Sequence, residues 1–205
     1  MVKSYSNCVF VNCPFDDDFK DILYAIIYTV YRCGFIPRSA LEEDNALNNR
    51  LSKIENLIEE CRFGIHDLSR TEINLHSLPR FNMPFEAGVF FGAKKFGNKQ
   101  QKTKVALVLE RQKYLYQQFI SDLNGIDTKA HNNEPEKAIK IVRDWLQSSS
   151  GRTTINGHLK IIKDYNHFMI NILPGLVQNS GLEIDDLTFN DYCLIVESSL
   201  VPYMD

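Results

Sequence analysis

The sequence predicts an α/β fold: a three-layer arrangement of a parallel sheet with helices on both faces, plus a small helical appendage at the C-terminus. Three observations carry this. Short apolar runs alternate with amphipathic helical patterns, in the order β-α-β-α-β-α-β-loop-α. The run "KVALVLE" is almost wholly apolar, as a strand covered on both faces should be. After "QSSSGRTTING", a small-residue polar stretch, the strands stop and only helical patterns continue.

The elements follow in order. "CVFVNCPF" reads as a first strand ending at Pro14, and Asp16 to Asp18 cap the helix that follows. In "FKDILYAIIYTVYRCGF", Ile22, Ala25, Ile26, Thr29 and Val30 fall on one helical face, and Gly34 stops the helix. "FIPRSAL" is a short second strand. "NALNNRLSKIENLIEECR" is a second helix, with Leu47, Leu51, Ile54, Leu57, Ile58 and Cys61 turned inward. "FGIHDLSR" is a third strand, and a polar loop leads to a helix from Pro84 to about Lys95. "KVALVLE" is the fourth strand, "YLYQQFISDLNGID" a mixed loop with a short helix, and "EPEKAIKIVRDWLQSS" an amphipathic helix. The main domain is expected over residues 1–150. Residues 151–205 form the helical extension, which should pack on that domain, on another copy, or on a partner protein.

The composition is that of an ordinary globular chain: 205 residues, 44% hydrophobic, 24% charged, net charge −3. A dedicated nucleic-acid binder would show a basic surplus, and none exists here. No apolar run reaches the roughly 20 residues of a membrane span. The N-terminus meets acid before a signal-like apolar stretch develops, so the expected compartment is cytoplasmic. The five cysteines include no C-x-x-C pair and suggest neither a zinc site nor a disulfide framework.

Open parallel sheets bind ligands beyond the carboxyl ends of their strands. Those ends carry Asn12, Pro14 and Phe15 after strand one and Arg38 after strand two. His66, Asp67, Ser69 and Arg70 follow strand three, and Glu110 follows strand four. Arg80 and Asn82 precede the third helix, and Asn124 lies in the loop after strand four. In "RFNMPFEAGVFFGAKKFG", Glu86 is the only carboxylate of an apolar, small-residue helix. A carboxylate rarely goes inside without a partner. The spacing places Glu86 in the first turn, at the mouth of the sheet, where the helix dipole favours the ionised form. Gly88 and Gly92 then let the helix approach the sheet. The first turn, "NCPFDDD", has no glycine, and neither a G-x-G-x-x-G nor a P-loop pattern is present.

"VFVNCPFDD", "CRFGIHDLSR" and "NMPFEAGVFFGA", in this order and spacing, resemble the nucleoside 2-deoxyribosyltransferase-like group. That group is related to TIR domains and to bacterial anti-phage effectors that cleave N-glycosidic bonds. The resemblance covers Ser6 to Gln147 and implies a flavodoxin-, TIR- or deoxyribosyltransferase-like sheet. It implies that Glu86 is catalytic, that Asp67 binds the sugar or assists at the base, and that Pro14 and Phe15 shape the base pocket. Asn12 and Cys13 replace the small residues found before that proline. Arg80 or Asn82 stands where the transferases carry a second aspartate. An arginine there suits phosphate, as Arg70 also does, and phosphate is present in a dinucleotide and absent from a nucleoside. The implied activity is N-glycosidic cleavage of NAD or a related nucleotide by an antiviral effector, with no metal and no cofactor beyond NAD as substrate. The alternatives are a non-catalytic nucleotide-binding or assembly module, working as a homo-oligomer or with a protein partner through the C-terminal helices, and a nucleoside deoxyribosyltransferase.

Overall fold

A computed structural model describes residues 2–43, 45, 47, 49–70 and 80–200. Five strands form one sheet: β1 (Cys8–Asn12), β2 (Ile36–Arg38), β3 (Phe63–Asp67), β4 (Val105–Glu110) and β5 (Lys129–Ala130). Their order is β2-β1-β3-β4-β5, and every pairing is parallel. Four strands coincide with the apolar runs. β5 is too short, at two residues, to leave a pattern in the sequence.

Helix α1 (Lys20–Arg32) and helix α4 (Pro135–Ser150) pack on one face, over Val9, Val11, Phe63, Ile65, Leu107 and Leu109. Helices α2 (Arg50–Glu60) and α3 (Asn82–Phe96) cover the other, over Cys8 and Phe10. Alternate residues of one strand therefore enter two cores, which is why the strands read as continuous apolar runs.

Two expectations on this second face are corrected. Leu47 lies outside α2 and is 93% exposed, because the helix begins at Arg50 with Asn49 as its cap; Leu51, in the first turn, is exposed as well, and the inward face is Ile54, Leu57 and Ile58. Gly88 and Gly92 do not bring α3 toward the sheet. A methyl built on either would meet open space, and the buried side of α3 is Met83, Glu86, Ala87 and Phe90.

Helix α1 is buried without interruption from Ile22 to Tyr31, so it is apolar all round rather than on one stripe. Its second face is covered by the C-terminal helices α5 (His158–His167), α6 (Leu173–Asn179) and α7 (Phe189–Leu200). Tyr24 stacks on Tyr192 with ring centres 3.8 Å apart, and the Tyr192 hydroxyl donates to the Tyr24 carbonyl at 3.2 Å. Tyr28 meets Tyr165 and Phe168. The extension thus packs on the main domain and shares one hydrophobic core with it. Between α5 and α6 the chain makes a π-helical turn, Phe168–Ile172. Pro174 follows directly; it has no N–H to give and its ring displaces the carbonyl one turn back, and the wider turn takes up that misfit. No described helix is long and apolar enough to cross a membrane.

Candidate functional site

β1 has β2 on one side and β3 on the other, and the chain leaves β1 for the α1 face but leaves β3 for the α3 face. The two connections part at the carboxyl ends of these strands, and at such a switch point a parallel sheet forms its ligand crevice. Asn12 and Asp67 end the two strands there, Cys13 and Ser69 follow them, and the Asn12–Met83 bond draws the first turn of α3 beside them.

Asn12 ties the crevice together. Its side-chain amide donates to Nδ1 of His66 at 3.1 Å and to the Met83 carbonyl at 2.8 Å. The end of β1 is thereby bonded both to β3 and to the first turn of α3, and Asn12 positions Glu86 rather than offering its amide to a ligand. His66 is fully buried against Phe10, Phe90 and Phe91; burial and the nearby Lys104 cation push it down to about 3, so it stays neutral.

Glu86 is the exceptional group. Only 5% of it is exposed, yet no hydrogen bond or ion pair reaches its carboxylate among the described residues. Burial pushes it up to about 7, and Arg50 offsets this only in part. The expectation that Glu86 lies in the first turn, with the helix dipole favouring its ionised form, is corrected: α3 begins at Asn82, which puts Glu86 beyond the first turn, where the dipole fades and desolvation decides. The Cys13 thiol lies within the field of Glu86, Asp67 and Asp16, and burial together with these carboxylates pushes it well up, so it stays protonated.

Asp67 differs in every respect. It has no exposure, and both of its oxygens are engaged: one accepts from the Ser69 N–H at 2.9 Å, the other lies 3.0 Å from Nε2 of His131. Nδ1 of His131 accepts from the Asn133 N–H at 3.0 Å, which assigns the proton to Nε2 and makes His131 the donor to Asp67. The Ser69 hydroxyl sits 3.2 Å from the same Nε2. Serine and aspartate therefore share one ring nitrogen, whereas an acyl-transfer triad needs them on opposite nitrogens. The group holds the β3 loop to the start of α4. Asp67 as a direct sugar contact is corrected on this geometry.

The arginines are also placed differently from the expectation. Arg70 makes two bonds to Asp16, at 3.1 and 2.7 Å, and Arg80 reaches the same carboxylate at 3.3 Å. Arg70, its main partner, holds Asp16 below the usual carboxylate range. Asp16, expected only to cap a helix, thus clasps the loops after β1 and β3. Arg80 remains half exposed and can also turn to a ligand. Arg38 is not at the crevice: it lies on the α2 face, paired with Glu42 and Glu60 at 2.8 Å. Pro14 is buried under the crevice, and Phe15 turns the other way, packing on the α1-side core and lining a cavity of about 150 Å³ with Leu187 and Phe189. Asn82 is exposed in the first position of α3 and makes no cap. Asn124 is exposed on the far loop. That loop is anchored by Glu110, which accepts from the N–H groups of Tyr114 and Leu115 at 2.9 and 3.0 Å and from the Thr128 hydroxyl.

His131 and Asp16 are the residues that sequence reasoning undervalued. A sequence signal existed for Asp16, since opposite charges sit on the two loops that must part at the crevice. None existed for His131, which follows the two-residue β5 and meets Asp67 across 64 positions of chain. Among the described residues no group of three or more His, Cys, Asp or Glu side chains could hold a metal ion. No family model and no curated protein matches the chain.

Proposed function

We propose that the crevice cleaves the ribosyl–base bond of a nucleotide whose base is cationic, NAD in the first instance, with Glu86 as the catalytic carboxylate. The observation that carries this is a carboxylate on a largely buried residue at the switch point of a parallel sheet, with no counter-charge bonded to it among the described residues. Such a group lacks a cation. The nicotinamide ring of NAD is one, and the ribosyl oxocarbenium formed as the C–N bond breaks is another. The bond's electron pair leaves with the nicotinamide, which departs neutral. Glu86, ionised, faces the sugar cation until water adds to the anomeric carbon and releases a proton, giving ADP-ribose. A unit charge pair about 4 Å apart gains roughly 4 kcal/mol near a protein surface against about 1 in water, so a dry carboxylate favours the cationic transition state. Asn12 holds the helix that aims Glu86. Arg80, half exposed and shared with Asp16, is the cation that would meet the pyrophosphate.

Incubation of the purified chain with NAD, followed by chromatography, should show nicotinamide and ADP-ribose. Glu86→Gln should lower this about 100- to 1,000-fold, the scale of losing one main electrostatic group, while NAD still binds. A Glu86→Gln protein that releases nicotinamide at the parent rate contradicts the proposal.

A second reading has one observation in its favour. Asp67, Asp16 and Arg70 are all paired within the chain, as in a scaffold that binds a nucleotide without changing it. Saturable NAD binding with no product at any protein concentration would establish that reading.

A further inference from the structure

At the opposite rim of the sheet, the amino ends of β1 and β3 bring two thiols together. Cys8 opens β1 and Cys61 closes α2 just before β3; both are buried in the core of the α2 face. The parallel register Val9 to Phe63 sets Cys8 beside the chain at residues 61–62, and both side chains enter the same core. The Arg38 guanidinium, held by Glu42 and Glu60, stands against the Cys8 sulfur. The Lys104 ammonium is completely buried beside them and donates to the carbonyls of Ile58 and of Cys61 itself. Cys8 forms part of the wall of a cavity of about 340 Å³, bordered also by Tyr5 and Arg38. Two thiols, two fixed cations and a cavity that borders Cys8 are thus assembled in one place, and the Glu86 site uses none of them.

We propose that Cys8 and Cys61 form an oxidisable dithiol that takes a small peroxide as its oxidant, with Cys8 attacking and Cys61 resolving. The Cys8 thiolate sulfur attacks one peroxide oxygen, the O–O bond breaks, and Cys8 becomes a sulfenic acid as hydroxide leaves. The Cys61 sulfur then attacks the Cys8 sulfur. The S–S bond forms, the S–O bond breaks, and the hydroxyl leaves as water with the Cys61 proton. The hydroxide is neutralised by the proton Cys8 gave up. Two thiols have lost two electrons, and the peroxide has become two waters.

The environment selects Cys8 over the other thiols. The Cys61 thiol and the Arg38 guanidinium hold Cys8 down to about 6 against its burial. Burial pushes Cys33 and Cys193 up to about 12 and Cys13 well above its ordinary value. Cys8 is therefore the thiol that ionises most readily, and the thiolate is the form that attacks.

The test treats the folded full chain with hydrogen peroxide and dimedone, a trap for sulfenic acids, and maps the products by mass spectrometry of peptides. The parent chain should form a single disulfide, Cys8 to Cys61, and keep its other thiols. Cys61→Ser should instead carry dimedone at Cys8, at least about 10-fold above any other cysteine. Survival of all five thiols, or label and disulfides spread over several cysteines, would overturn the proposal. The parent chain alone yields the disulfide map, so the result does not depend on the folding of a variant.

Discussion

Glu86→Gln is expected to be more stable than the parent chain above neutral pH, while losing its turnover. An unfolded glutamate titrates near 4.5, whereas Glu86 in the fold titrates near 7. Between these values the folded state keeps a proton that the unfolded state has released, so the parent chain loses stability as pH rises through that window. Below about 4.5 both states are protonated and the contribution vanishes; above about 7 the full penalty applies. The displacement corresponds to at most about 3 kcal/mol. Glutamine has the shape of the protonated acid and cannot ionise, so the variant escapes the penalty. Its advantage should be near zero at pH 4 and reach about 2 to 3 kcal/mol at pH 8, or roughly 5 to 10 °C in Tm for a chain of this size. Thermal unfolding of both proteins across this range checks the sign as well as the size. A variant less stable than the parent at pH 8 would mean that Glu86 has a stabilising partner in the fold.

Asp67 should behave in the opposite way. Asp67→Ala leaves the Ser69 N–H and the His131 Nε2–H buried with no acceptor, and the expected loss is about 3 to 5 kcal/mol. Asp67→Asn is not a gentle replacement either. Its amide can still accept from Ser69, but its NH2 then faces the protonated Nε2 of His131. Moving that proton to Nδ1 would set it against the Asn133 N–H, so one clash replaces another. A loss of about 2 to 4 kcal/mol is expected for Asn. Urea denaturation measures both. If Asp67 served only as a substrate contact, both variants would keep the parent midpoint and raise KM instead.

The two carboxylates look alike in the sequence, since each is a polar residue at the end of an apolar run. Glu86 was legible because one acid in a helix otherwise made of apolar and small residues demands a reason, and its position opens onto the ligand rim of the predicted sheet. Asp67 was legible as a rim residue and no further, because its role depends on His131, which no local pattern marks. Arg70 and Arg80 read as free cations for the same reason: their partner Asp16 belongs to another loop. The sheet and its helices were legible wherever burial follows the local period. Helix α1 was legible only as a one-faced helix; its second face, with Tyr24, Tyr28 and Tyr31, is buried by the C-terminal helices, which lie far off in the chain. Leu47 misled because it continues the spacing of α2 into residues that precede its cap.

The central claim is that Glu86 is a dry carboxylate awaiting a cation. A direct titration of its side-chain carboxyl carbon by NMR tests this most closely, in the free chain, with NAD and with NADH. The two ligands share every phosphate, sugar and adenine group, but only NAD carries a positive ring, so the comparison isolates the charge. The Glu86→Gln variant identifies the resonance and binds NAD without consuming it, and rapid acquisition covers the parent chain during turnover. The expected result is a value near 7 in the free chain, lowered by NAD and left in place by NADH. A value near 4.5 without ligand, or equal shifts with both ligands, would contradict the account.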